Sequence, residues 1–159
     1  MVEAIHRTAF DAMASRCEIR LAAPDAHTAE LLSRQAVAEV RRIEEKYSRY
    51  RPESIVSRIN AAAGRESVAC DKETMALMSY AAALFGVSEG LFDISSGVLR
   101  KAWDFRRPRV PEPEVLGPLL ELVGWRKVMC DGEEVYLGQA GMEIDFGGFG
   151  KEYAADRAA

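Results

Sequence analysis

Residues 17–22 alternate strictly, Cys17, Ile19 and Leu21 against Glu18 and Arg20, which is the pattern of a strand buried on one face. Residues 8–12 form a strand before it, and Met13, Ala14 and Ser15 join the two. After Pro24 and Asp25 the period changes. Leu32, Ala36, Val40, Ile43 and Tyr47 recur at helical spacing, with Arg34, Glu39, Arg41, Arg42, Glu44 and Glu45 elsewhere around the axis, so residues 28–47 make an amphipathic helix whose charges form a solvated face.

The loop Ser48-Arg49-Tyr50-Arg51-Pro52-Glu53-Ser54 follows, then a short helix through Asn60, a polar turn at Gly64 and Arg65, and a brief strand at 68–70. Asp71 caps a helix over 73–87 whose apolar residues cover most of its circumference and place it at the centre of the core. Residues 98–105 read as a short helix containing Trp103, 106–113 as an extended proline loop, and 114–122 as a weak helix interrupted by Gly117 and Pro118. Strands at 127–130 and 133–137 flank Asp131-Gly132, a type I′ hairpin signal, and 142–146 supplies another strand. The order predicts an α+β fold with a largely antiparallel sheet and packed helices.

Composition narrows the function without naming it. With 48% hydrophobic and 29% charged residues in 159, the chain has an ordinary globular balance. A net charge of −4 and a pI near 5.3 give no reason to expect nucleic acid or an anionic membrane as partner, so any anion site is local. Cys17, Cys70 and Cys130 read as buried hydrophobes in a reducing compartment, and the lack of a C-x-x-C pair and of any histidine spaced with a cysteine argues against a zinc site. No signal peptide and no membrane-crossing run is visible. The expectation is a cytoplasmic chain, or a periplasmic one if an export segment has been removed. Residues 150–159 start a helix with no stop signal, so the chain is expected to be the N-terminal portion, 1–159, of a longer domain.

Chemistry concentrates in the closing run Ile144-Asp145-Phe146-Gly147-Gly148-Phe149-Gly150-Lys151-Glu152. Glycines let backbone amides approach a ligand, and a helix start carries unpaired N–H groups with partial positive charge, so the run can hold phosphate. It also reads as an ordinary strand-to-helix turn in which glycine only permits close packing. The spacing is not that of a dinucleotide fingerprint, and Asp145-Phe146-Gly147 lacks every other kinase signature.

Four stretches in order, residues 48–60, Gly90-Leu91-Phe92-Asp93-Ile94-Ser95-Ser96-Gly97 with Trp103 and Phe105, Val123-Gly124-Trp125, and the closing run, resemble the ApbE family of flavin transferases. The resemblance implies an ApbE-like (T-fold-like) architecture of which the C-terminal part is missing. It further implies Mg²⁺-dependent transfer of FMN from FAD to a threonine or serine hydroxyl of a target flavoprotein, with AMP leaving. By the same resemblance, Met13 packs on the flavin and Tyr50 lines the FAD site. Leu91, Phe92 and Asp93 contact the nucleotide, with Asp93 the polar anchor, and Asp145 and Lys151 bind FAD. The backbone carbonyl of Gly148 is a Mg²⁺ ligand. The remaining ligands and the general base belong to a C-terminal half beyond Ala159, so the catalytic residue is unassigned and this chain alone is expected to be poorly active.

Two positions depart from the family pattern: Met13-Ala14-Ser15 stands for the usual Met-Gly-Thr, and Glu152 for a glycine. The target is expected to be a subunit of a membrane redox complex, with no direct membrane insertion by this chain. Two other readings stay open, a Mg²⁺-dependent FAD pyrophosphatase and a non-catalytic FAD-binding module.

Overall fold

The computed structural model describes residues 4–104, 106 and 109–159. Phe105, Arg107 and Pro108, which fall in the predicted 98–105 helix and the proline loop, lie outside the described residues, as do residues 1–3. The elements run β1 (Ala4–Ala12), β2 (Ser15–Ala23), α1 (Ala26–Tyr47), α2 (Ile55–Ala62), β3 (Val68–Ala69), α3 (Lys72–Val87), a stretch of 3₁₀ turns (Ile94–Ala102), α4 (Pro113–Leu120), β4 (Val128–Asp131), β5 (Glu134–Leu137) and α5 (Gly150–Ala158). They fall into two compact units: the chain through Ser54 together with Gly147–Ala159, and Ile55–Phe146. Among the described residues no helix is long and apolar enough to cross a membrane.

In the first unit β1 and β2 form an antiparallel hairpin from Ala4↔Ala23 to Ala12↔Ser15, and its period-two face rests on α1. Asp25 starts α1 by accepting the Thr28 N–H at 2.8 Å. Ala29, Ser33, Val40, Ile43 and Tyr47 are the buried stripe of α1, and the Thr8 hydroxyl donates to the Ser33 hydroxyl at 3.1 Å. α5 packs against α1. There Glu39 accepts two bonds from Arg42, at 2.8 and 2.9 Å, and one from Arg157 of α5 at 3.2 Å. These bonds, Arg42's first, hold the Glu39 carboxyl down at about 2.

In the second unit the sheet has the order β3-β5-β4, all antiparallel. Its buried residues include Val135 and Leu137 of β5 and Val56, Ile59 and Ala62 of α2, which packs on that strand. Asp71 caps α3 by accepting the Thr74 N–H at 3.0 Å.

Six expectations are corrected, among them the interruption at Gly117 and Pro118, since α4 runs unbroken through both from Pro113 to Leu120. Helix α3 buries one stripe, Thr74, Leu77, Met78 and Ala81, and leaves Tyr80 and Val87 at 51% and 81% exposure, so it flanks the core. Its apolar residues are too evenly spread to favour a single buried face, and contact with other elements chose one. Residues 94–102 coil as 3₁₀ turns, entered through an Asp93 cap. In the second hairpin Asp131 pairs with Glu134, so the turn residues are Gly132 and Glu133, and only Gly132 has positive φ, at 57°. That is the pattern of a type II′ turn with glycine first, displaced by one residue from the predicted type I′ turn. Cys130 is exposed because β4 lies at the edge of its sheet, whereas Cys70 is buried and Cys17 half-buried.

The last correction concerns residues 142–146, which pair with no strand among the described residues. Their alternation holds, since Met142, Ile144 and Phe146 are buried. A side chain takes the place of the neighbouring strand: the Ile144 N–H donates to Asn60 Oδ1 at 2.7 Å, and Asn60 Nδ2 donates to the Ile144 carbonyl at 3.0 Å. The Asp145 N–H donates to the Ile94 carbonyl at 2.9 Å. These three backbone groups, at Ile144 and Asp145, are satisfied without a ladder.

Candidate functional site

The turn between β1 and β2 has two central residues, Met13 and Ala14, with φ of 52° and 54°. This left-handed pair gives the twist a two-residue hairpin needs, but without glycine each residue carries a steric cost of about 1–2 kcal/mol. Two contacts hold the turn and its exit. The Met13 N–H donates to Glu44 Oε1 of α1 at 2.6 Å, and Lys151 Nζ of α5 donates to Ser15 Oγ at 2.6 Å. A pocket of about 430 Å³ opens beside the turn, lined by Asp11, Ala12, Ala14, Ser15, Arg16 and Glu44. A larger groove of about 720 Å³ runs between β1 and α1 past Phe10 and Val37; none of the predicted site residues lines it.

Helix α5 begins at Gly150 with Phe149 as its cap residue and no side-chain cap. Its amino end therefore keeps the positive character expected of uncapped N–H groups. Lys151 stands at the second position and Glu152 in the same first turn, both exposed, and Gly148 is exposed just before the helix. Tyr50 lies in the loop after α1 at 72% exposure; Arg49 covers its ring at 4.8 Å and donates to its hydroxyl at 2.7 Å.

In the second unit Leu91 is 93% exposed, while Phe92 is half-buried and its N–H donates to Ser88 Oγ at 2.9 Å. Asp93 is enclosed by donors. Its Oδ1 accepts from the Ser95 N–H at 2.8 Å and the Ser95 hydroxyl at 2.7 Å, and its Oδ2 accepts from the Trp125 N–H at 2.9 Å. Ser95 Oγ in turn accepts from the Gly124 N–H at 2.7 Å. One carboxylate thus ties the 3₁₀ stretch to the Val123-Gly124-Trp125 loop. Asp145 lies against that same stretch at Gly97, where an added Cβ would come within 2.7 Å of Asp145 Cβ and 3.2 Å of its nitrogen. Only glycine permits this approach.

Of the residues predicted from sequence, Met13 and Lys151 meet around the first turn and its exit through Ser15, and Tyr50 occupies the loop after α1 in the same unit. Leu91, Phe92, Asp93 and Asp145 belong to the second unit, where Asp93 and Asp145 both bond to the Ile94–Ala102 stretch or its backbone. Sequence reasoning did not single out Glu44, Asn60 or Gly97. Glu44 was indistinguishable from the other charges of an amphipathic helix. Asn60 carried a usable signal, an amide amid the apolar residues of a short helix. Gly97 carried another, a glycine closing a run of two serines.

The divalent ion that the resemblance implies does not find a complete set of donors: among the described residues no group of three histidine, cysteine, aspartate or glutamate side chains can hold a metal. The Gly148 carbonyl would be a single ligand and does not make a metal centre by itself.

The chain is similar to the crystal structure of the ApbE protein of Thermotoga maritima, with 27% identity and a TM-score of 0.88 over 98% of this chain and 51% of that one. It is also similar in fold to the flavinyl transferase ApbE of Pseudomonas stutzeri, at 22% identity and a TM-score of 0.81 over 99% of this chain and 56% of that one. The flavin transferase ApbE of Vibrio cholerae matches at 23% identity and a TM-score of 0.79, over 96% and 53%. The chain thus spans about half the length of the solved structures it matches. No curated protein sequence matches it significantly. The ApbE family model matches residues 13–159, from the first residue of the strained turn through the helix that carries Lys151, and on that match the chain belongs to the ApbE family.

Proposed function

We propose that this chain serves the transfer of FMN from FAD to a threonine or serine hydroxyl of a target flavoprotein, with release of AMP. The observation that carries the reading is the family match, which takes in both the turn at Met13 and the closing run with Lys151. The physical fit is local: an ammonium fixed at 2.6 Å on a hydroxyl, beside a helix start with no side-chain cap, suits a pyrophosphate. In the reaction the acceptor oxygen bonds to the FMN-side phosphorus. The bond from that phosphorus to the bridging oxygen breaks, AMP carries away the electron pair, and the hydroxyl proton passes to a base. Lys151 would offset charge gathering on the phosphates. On the family resemblance, Met13, Tyr50, Leu91, Phe92 and Asp145 are the further FAD contacts in this proposal, and Asp93, whose carboxylate accepts from Ser95 and Trp125, would hold the segment that carries Leu91 and Phe92.

A requirement for Mg²⁺ is part of the proposal and rests on the family resemblance; the roles given to Lys151 and the helix start involve no metal. A flavoprotein subunit of a membrane redox complex is the proposed target.

The test incubates the complete gene product with FAD, Mg²⁺ and a peptide carrying a threonine acceptor. Flavin fluorescence on the peptide together with stoichiometric AMP is expected, and chelation by EDTA should abolish both. FMN and AMP with an unlabelled peptide would show a pyrophosphatase instead. Tight FAD binding without turnover would show a binding module.

A further inference from the structure

We propose that Ser15 is a positioning residue for Lys151, a role that rests on the flavin-transferase reading. A lysine at the second position of a surface helix ordinarily samples many rotamers, and fixing its flexible stem opposes binding entropically. Here the ammonium has a defined partner contributed from the opposite end of the sequence: Nζ donates to Ser15 Oγ at 2.6 Å, across 136 residues. That partner is itself fixed. Ser15 pairs with Ala12 as the last rung of the hairpin, so its backbone cannot drift. The turn before it is held by the Met13 N–H on Glu44 Oε1 at 2.6 Å, which fastens the hairpin tip to α1, the helix on which α5 packs.

The two left-handed residues complete the argument. Met13 and Ala14 hold φ of 52° and 54° without glycine, and such strain persists only where surrounding contacts impose it. Relaxing the turn would rotate Ser15 and release the lysine. The serine needs no contact with FAD to act. It sets the direction from which the positive charge meets the phosphate anion, and its effect passes through Lys151.

The test uses the complete gene product and compares wild type, S15A, S15T, K151A and the double variant S15A/K151A, measuring kcat and KM for FAD with thermal stability in parallel. S15A is expected to raise KM about ten-fold, with most of the loss on KM, because a charge-assisted bond that prepares binding is lost. S15T should restore wild-type KM, and S15A should add little once K151A is present. Should S15A not fold, S15C takes its place with the same expected direction. If wild type turns over FAD while S15A keeps its KM, or if S15A costs as much in the K151A background, the positioning role is overturned and the transferase reading stands. A wild-type protein that neither binds nor turns over FAD overturns the reading itself, whatever Ser15 does.

Discussion

The hairpin tip of the first unit and the Asp93 cluster of the second both gather residues that a sequence reader would assign to a ligand, yet they use their polar atoms in opposite ways. Asp93 gives both carboxylate oxygens to the chain's own donors, three bonds to Ser95 and Trp125. Lys151 makes one bond to a hydroxyl and is otherwise exposed, beside a helix start that no side chain caps. The first arrangement shapes a loop; the second leaves charge available. A motif aspartate can therefore matter by holding backbone in place, and its presence in a motif does not tell which role it fills.

Removing each group separates the two. Asp93→Ala should destabilise the protein by about 3 kcal/mol, because three bonds vanish and the buried Ser95 loses the acceptor of both its N–H and its hydroxyl, whereas Lys151→Ala should stay within about 0.5 kcal/mol. Urea denaturation of both variants checks this, and equal losses would erase the distinction. Gly97→Ala follows in size. Its methyl would press on Asp145 at 2.7 Å, and about 2 kcal/mol of stability should be lost with displacement of Asp145. An alanine variant as stable as wild type would mean that the close approach is dispensable.

At the hairpin tip the sign reverses. Ala14→Gly should stabilise by about 1 kcal/mol, since glycine accepts φ near 54° without steric cost, and the midpoint of denaturation should rise. The smallest effect concerns the Glu39 link between α1 and α5. Its folded pKa of about 2 lies below the ordinary 4.5, so the stability it contributes is fully present above 4.5 and fades as pH falls toward 2. The melting temperatures of wild type and Glu39→Gln should therefore differ by a constant amount above pH 4.5 and converge below it.

How far these regions were legible in the sequence follows from the range of the interactions. The first hairpin and α1 are written in local periodicity, and both formed close to where Cys17, Ile19, Leu21 and the stripe through Val40 and Ile43 place them. Asp25 and Asp71 cap helices through contacts three residues away, which is within local reach. Asp93 could be noticed, but its bond to Trp125 spans 32 residues and no local pattern announces it. The segment 142–146 misled because alternation reports which face is buried and not what receives the backbone bonds. Helix α3 misled for a related reason: an apolar circumference leaves the choice of buried face to tertiary contact.

That Asn60 substitutes for a strand has a further consequence, for the order in which the protein matures. A ladder grows residue by residue from a nearby turn, but Ile144 waits for an amide 84 positions earlier in the chain. Closing so long a loop is entropically costly and is repaid only once α2 is in place. The passage that leads into the glycines and α5 should therefore gain protection from hydrogen exchange late in refolding, after the helix that carries Asn60.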